Sequence, residues 1–206
     1  MAPVYKLKFF DSMGLAEPIR YLFAYGGIPY ENIAVQIDKD WINLQQTVPF
    51  GKLPVLGIDN KLLFQSVAIS RYLGKLVGLL PLDDFESAEM DAIAATVFDF
   101  GSRVFEWFHE TDDTKKMMLH QELETKIIPR YLTDFEELAS GKGGYFGGKK
   151  ITWADIYFVG IMESVEGMWK KNLLQRQYPM LYQIYNDVHN IPAIKTYISK
   201  RPNYKY

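Results

Sequence analysis

Val48-Pro49-Phe50-Gly51-Lys52-Leu53-Pro54-Val55-Leu56, followed after the turn pair Asp59-Asn60 by Phe64-Gln65-Ser66-Val67-Ala68-Ile69-Ser70-Arg71-Tyr72-Leu73, is the stretch on which the fold turns. A proline has no amide to give to a sheet ladder, so Pro54 marks the entry to a strand, which runs Pro54 to Ile58. Asp59-Asn60 is a two-residue hairpin signal and predicts an antiparallel partner at Lys61 to Phe64. Gln65-Ser66 is where alternation gives way to helical spacing, and the helix reads from Val67 to Val77. Upstream, Val4 to Phe10 alternates as a strand. Glu17 to Tyr25 has helical spacing, with Pro18 in its first turn and Gly26-Gly27 as its stop, and Tyr30 to Ile37 is a further strand. Strand, helix, strand, then strand, strand, helix is the order of a thioredoxin-like α/β domain, placed at residues 1–77.

Downstream the pattern changes. Gly78-Leu79-Leu80-Pro81-Leu82-Asp83-Asp84 gathers turn formers and an acidic pair, and strand signals cease after it, so residues 78–84 read as a linker. Helical spacing then covers Phe85 to Trp107, Thr114 to Ser140 and Thr152 to Lys170, with shorter runs at Tyr178 to Val188 and Ala193 to Lys200. Residues 85–206 are therefore expected to form an all-α C-terminal domain. Pro129 lies inside the second helix and should kink it, and Gly141 to Gly148 is the clearest loop. Thr152-Trp153-Ala154-Asp155 has the spacing of a capping box, with Ile151 and Ile156 placed as its hydrophobic staple; such a box starts a helix in any protein, and its reading here is structural.

Composition limits the functions. Of 206 residues, 48% are hydrophobic and 15% aromatic, enough apolar material for a folded core. With 23 basic and 25 acidic residues the formal charge is −2, which gives no general attraction for nucleic acid or an anionic membrane. Cysteine is absent, which excludes disulfides, thiolate metal sites and a protein-thiol nucleophile, so any sulfur chemistry must use a substrate's sulfur. No basic segment followed by a long apolar one opens the sequence, and no run of about eighteen apolar residues occurs, which predicts a cytoplasmic protein without a membrane partner. His109, His120 and His189 lack metal-ligand spacing, and Asp83-Asp84 and Asp112-Asp113 sit at helix starts, where carboxylates complement the dipole.

Two features of the opening stretch point to a ligand. Leu53, ahead of the proline, can turn its backbone groups outward to pair with something peptide-like, and Gln65-Ser66 at a helix N-terminus offers amides and a hydroxyl to a carboxylate. Each alone has a plain structural reading, a strand start and an N-cap; it is their combination at this spacing that carries weight. The same residues resemble the sigma-class glutathione transferases, and the resemblance extends over essentially the whole chain through the helix start Leu15-Ala16-Glu17-Pro18-Ile19-Arg20, Trp41, Asp99 and Thr152-Trp153-Ala154-Asp155-Ile156-Tyr157. It implies the cytosolic glutathione transferase fold, glutathione as co-substrate with no prosthetic group, and a site made of Trp41, Gln45, Gly51, Lys52, Leu53, Gln65 and Ser66 with Pro54 cis. Lys52 and Trp41 would address the glycyl end. Asp99 would reach the ammonium of glutathione across a twofold axis, which makes a homodimer part of the site. Asp99 also has a second reading, as the partner of Arg103 four residues on in a surface ion pair.

The sequence departs from the family where the chemistry is concentrated. At the end of the first strand, where the family places the tyrosine whose hydroxyl donates to the glutathione sulfur, stands Phe9. Leu15 stands where some members have arginine, and Gln45 where some have lysine. Phe98 and Ala95 replace the acidic residues with which a vertebrate prostaglandin-isomerising member binds a divalent ion, so no such metal is expected. Tyr5 is on the same strand but roughly 13 Å away by strand geometry, which leaves Ser12, in the adjacent loop, as the nearest alternative hydroxyl. Phe10, Leu15 and Trp107 are expected to line the pocket for a small apolar electrophile, whereas Phe105 and Phe158 have the spacing of core residues. Two functions follow: a transferase conjugating glutathione with weakened thiol activation, or a glutathione-binding carrier or structural protein with little catalysis, as among lens crystallins of similar ancestry.

Overall fold

The computed structural model describes residues 3–204 and 206. Strand β1 (Tyr5–Phe10) buries Tyr5, Leu7 and Phe9 on one face and turns Lys6 and Lys8 outward, the two-residue period read from the sequence. It is followed by α1 (Glu17–Tyr25) and β2 (Tyr30–Val35), and β2 lies parallel to β1 with Phe9 opposite Ala34. Strand β3 (Val55–Ile58) pairs antiparallel with β1, and β4 (Lys61–Phe64) closes the hairpin through Asp59-Asn60, where Asp59 takes the left-handed φ of 52° that a tight turn requires. The sheet order is β2-β1-β3-β4.

Between β2 and β3 the chain departs from the sequence reading. Strand β2 stops at Val35 rather than Ile37 because the Gln36 carbonyl accepts the amides of Lys39, Asp40 and Trp41, and the Asp40 carboxylate accepts the Gln36 amide at 3.0 Å. A run of single turns follows: Ile37–Trp41, α2 (Ile42–Leu44), Gln45–Thr47 and Pro49–Gly51. Helix α3 (Ser66–Leu76) then packs beside α1.

The remaining helices are α4 (Asp84–His109), α5 (Asp113–Glu122), α6 (Ile128–Lys142), α7 (Trp153–Trp169), α8 (Pro179–Asn190) and α9 (Pro192–Lys200). The expected long helix over Thr114 to Ser140 is divided by a widened turn, Leu123–Ile127, immediately before Pro129. Proline cannot donate to the carbonyl four residues back and its ring crowds that oxygen, so the turn opens just ahead of it. Helix α6 ends on Gly143 at a left-handed φ of 96°, which opens the glycine loop.

Helix α7 is apolar around nearly its whole circumference and buried along most of its length, packed by α1, α3, α4 and α8. Two glycines allow the two halves to meet this closely. A β-carbon on Gly160 would lie 2.6 Å from the Pro18 nitrogen, and one on Gly74 would lie 2.5 Å from Trp153 Cβ. The capping box of Thr152 and Asp155 is present: the Asp155 carboxylate accepts the Thr152 amide at 2.7 Å, the Thr152 hydroxyl at 2.7 Å and the Phe146 amide at 2.9 Å. Burial pushes the Asp155 carboxyl up to about 6 against the pull of these donors.

Past α9, Arg201 fixes the chain against α1 and α7. Its guanidinium donates to Glu17 at 2.5 Å and to Glu163, which also accepts from Tyr21. Burial would raise the Glu163 carboxyl, but the hydrogen bonds from His189, Arg201 and Tyr21 outweigh it and hold the group near 2. No helix among the described residues is long and apolar enough to cross a membrane.

Candidate functional site

The C-terminal end of β1 opens into a cleft of about 590 Å³ at the junction of sheet and helices. Phe9, Phe10, Leu15 and Leu53 line it from the N-terminal half. Phe9 is buried, and its ring carries no group that can form a hydrogen bond. Phe10 meets the Trp41 ring edge-on at 5.1 Å, which ties the indole to the cleft wall. A groove of about 610 Å³ lies between α4 and α6, but it is built within the helical half alone and receives nothing from the end of β1. The cleft is therefore the candidate site.

Along the same edge of the sheet lie the residues named for peptide recognition. Leu53-Pro54 is a cis peptide bond, Leu53 is buried, and Lys52 is extended and exposed. Gly51 has a φ of 59°, and a β-carbon there would meet Gln45 Cγ at 3.1 Å, so these two are neighbours. Because Val55 pairs with Phe64, the antiparallel register brings Leu53-Pro54 beside Gln65-Ser66. Gln65 has a φ of 71° and precedes the first turn of α3, where free amides and the helix dipole favour an anion.

Ser66 is buried, and its hydroxyl lies 2.9 Å from that of Tyr157 on α7. Burial raises the Tyr157 phenol above its ordinary range, so the pair stays a neutral hydroxyl contact. The helix begun by the capping box thus supports the start of α3.

Three expected placements differ. Trp107 lies outside the cleft lining, its ring 4.7 Å from Trp169 and 5.4 Å from His120. Phe105, read as a core residue, lines the cleft with His109 one turn on. Asp99 is exposed on α4, and the surface pair proposed for it does not form: Arg103 turns to Glu122 at 3.3 Å and Glu106 at 3.8 Å. Met168, Tyr204 and Tyr206 complete the wall without any sequence signal that separated them from ordinary core or tail residues. Among the described residues no group of three histidine, aspartate or glutamate side chains is placed to hold a metal.

The profile of the glutathione S-transferase N-terminal domain matches residues 5–75, and that of the C-terminal domain matches residues 98–201. The chain belongs to the glutathione S-transferase family. A glutathione S-transferase from Anopheles gambiae is 38% identical over 200 residues, covering 97% of this chain and 98% of the relative. Hematopoietic prostaglandin D synthase from Mus musculus is 40% identical over 203 residues, covering 98% of this chain and 99% of its own. The solved structure of prostaglandin synthase D of Nilaparvata lugens superposes with a TM-score of 0.91 at 36% identity, over 97% of this chain and 99% of that one. This is an enzyme family that uses glutathione as substrate and binds hydrophobic second substrates, and the sheet-plus-helices architecture of this transferase is the family's fold.

Proposed function

We propose that this transferase conjugates the thiol of glutathione to small apolar electrophiles in the cleft at the end of β1, with a less activated thiol than tyrosine-bearing relatives provide, and that it works as a homodimer in the cytoplasm. The observation that carries the reading is the adjacency of an apolar cleft to two backbone features suited to a tripeptide: the cis Leu53-Pro54 bond and the α3 N-terminus at Ser66. In this reading the γ-glutamyl carboxylate sits on the α3 amides and Ser66, and the Leu53 backbone pairs with the tripeptide. Lys52 and Trp41 hold the glycyl end, with Gln45 and Gly51 shaping the turn between them. The sulfur then falls off the tip of Phe9, facing the pocket formed by Phe10 and Leu15. The protein supplies orientation and the thiol is the nucleophile: it loses its proton to solvent, and the thiolate forms a carbon–sulfur bond as the electrophile either expels its leaving group as an anion or, at a polarised double bond, takes the electron pair and then a proton from solvent.

Phe9 favours one further reading, a glutathione-binding carrier with little catalysis. Retention on immobilised glutathione together with a conjugation assay separates the two: turnover above the uncatalysed rate supports the transferase, and retention without it supports the carrier. Ser66→Ala should weaken glutathione binding by about tenfold, the size expected for one hydrogen bond to a charged group. Unchanged affinity by calorimetry would remove the carboxylate from the α3 terminus.

A further inference from the structure

Phe9 leaves the sulfur without the hydroxyl found in tyrosine-bearing relatives, and the loop after β1 holds another. A β-carbon built on Gly14 would lie 2.9 Å from Cε1 and 3.0 Å from Cζ of Phe9, and 3.7 Å from Oγ of Ser12. The ring tip and the Ser12 hydroxyl therefore flank the same glycine, and Gly14, at a φ of 44°, puts no side chain between them. Both residues line the cleft.

The loop is fixed at its backbone. The Ser12 amide donates to the Phe10 carbonyl at 2.8 Å, and the Ser12 carbonyl accepts from Arg20 at 2.8 Å. Arg20 is itself buried and paired with Glu17 at 2.9 Å. The next amide, Met13, donates to the Tyr206 carbonyl at 2.8 Å. A loop serine ordinarily spends its hydroxyl on nearby backbone. Here the backbone groups are satisfied elsewhere, and no hydrogen bond among the described residues engages Ser12 Oγ.

Three tyrosines are held by other contacts. Tyr5 stands at the far end of β1, bonded to Tyr72, with burial raising its phenol to about 12. Tyr204 lies under the Arg20 guanidinium at 4.9 Å and bonds Asn32. The Tyr206 ring packs on Phe108 at 4.6 Å.

The geometry points to Ser12 as a catalytic residue that donates its hydroxyl hydrogen bond to the glutathione sulfur in place of the missing phenol. The inference rests on the proposed glutathione site. The hydroxyl keeps its own proton; the thiol proton leaves to solvent, and the donated bond stabilises the thiolate that remains. The test is the ultraviolet absorption of bound thiolate followed against pH, which needs no electrophile, in the parent, Ser12→Ala and Ser12→Thr. Ser12→Ala should raise the apparent pKa of the bound thiol by about one unit and lower neutral-pH kcat/KM about tenfold, with the rate recovering at high pH. Glutathione affinity should change by less than about twofold, and Ser12→Thr should behave like the parent, because the backbone contacts and the hydroxyl both survive. In a Phe9→Tyr background the same Ser12→Ala change should cost under about twofold, since the phenol then holds the sulfur. Equal thiol pKa values in parent and Ser12→Ala would overturn the assignment. Failure of the parent to bind glutathione by calorimetry would overturn the site reading as well, and the two failures are told apart by that binding measurement.

Discussion

Phe9 occupies a strand position whose direction the sequence does dictate. Alternation along Tyr5–Phe10 sends residues 5, 7 and 9 to one face, and the ring accordingly lies buried at the wall of the cleft. What alternation cannot supply is the third dimension around the ring, and the proximity of Gly14 and Ser12 depends on a loop pinned by Arg20 from the following helix. Trp107 and Phe105 show the same limit on α4. Residues two apart on a helix point to nearly opposite sides, so only one of the pair can face the cleft, and which one depends on the rotation of α4 against α7. The i, i+4 spacing of Phe105 and His109 was the available clue. At this scale the expected outcome is that Phe9→Tyr raises neutral-pH turnover about tenfold, the lower part of the range for a hydrogen bond to a charged group because Ser12 already contributes one. The apparent pKa of the pH–rate profile should fall with it while glutathione affinity stays nearly constant. Parallel profiles of the two proteins check this, and an unchanged rate and pKa would mean that the position does not govern the thiol.

Elements with a strong period or a defined cap were legible, and those set by their surroundings were not. The βαβ and ββα units follow from alternation, Pro54 and the Asp59-Asn60 turn, whereas the turns over residues 37–51 carry no apolar period: the first closes on the Gln36 carbonyl and the last on those of Val48 and Pro49. Pro129 announced an interruption but not that it would be a widened turn on its N-terminal side. Helix α7 is the clearest case, because its box was read directly from Thr152 and Asp155. Burial raises the Asp155 carboxyl to about 6, above its unfolded value, so the folded state holds an extra proton between about pH 4 and about pH 6. Stability contributed by this group is therefore greatest below that window and is lost as pH rises through it. Asp155→Ala leaves three buried donors without their acceptor and should lower unfolding free energy by roughly 2 kcal/mol at neutral pH. The loss should be larger near the acid end of the window, where the parent is protonated and more stable. Urea unfolding at the two pH values measures both, and equal losses would assign the acid dependence to another group.

The two halves of the molecule are joined through α7 and through Arg201, and neither junction covers the outer face of α4. Glu89, Ala92, Ile93 and Thr96 line the groove against α6, and Asp99 continues that stripe one helical turn beyond Thr96. Large apolar side chains remain exposed: Phe85 at the start of α4 is 75% exposed, and Phe50, in the turn before β3, is 80% exposed at a left-handed φ of 55°. Exposed side chains of this size are free to be covered by a partner. A second copy is the occupant that fits the proposed site, because a twofold contact along α4 presents each Asp99 to the other subunit's glutathione ammonium. With Arg103 engaged by Glu122 and Glu106, the Asp99 carboxylate is available for that role. Sedimentation at micromolar concentration should therefore give about twice the chain mass, the behaviour of a stable twofold assembly. Asp99→Asn should leave the dimer intact yet weaken glutathione binding about five- to tenfold, the loss of one charge-assisted contact at a solvent-bordered interface. A monomer throughout the concentration range would remove Asp99 from the site, and a dimer whose Asp99→Asn variant binds glutathione as tightly as the parent would keep the assembly while showing that each subunit's site is complete without the other.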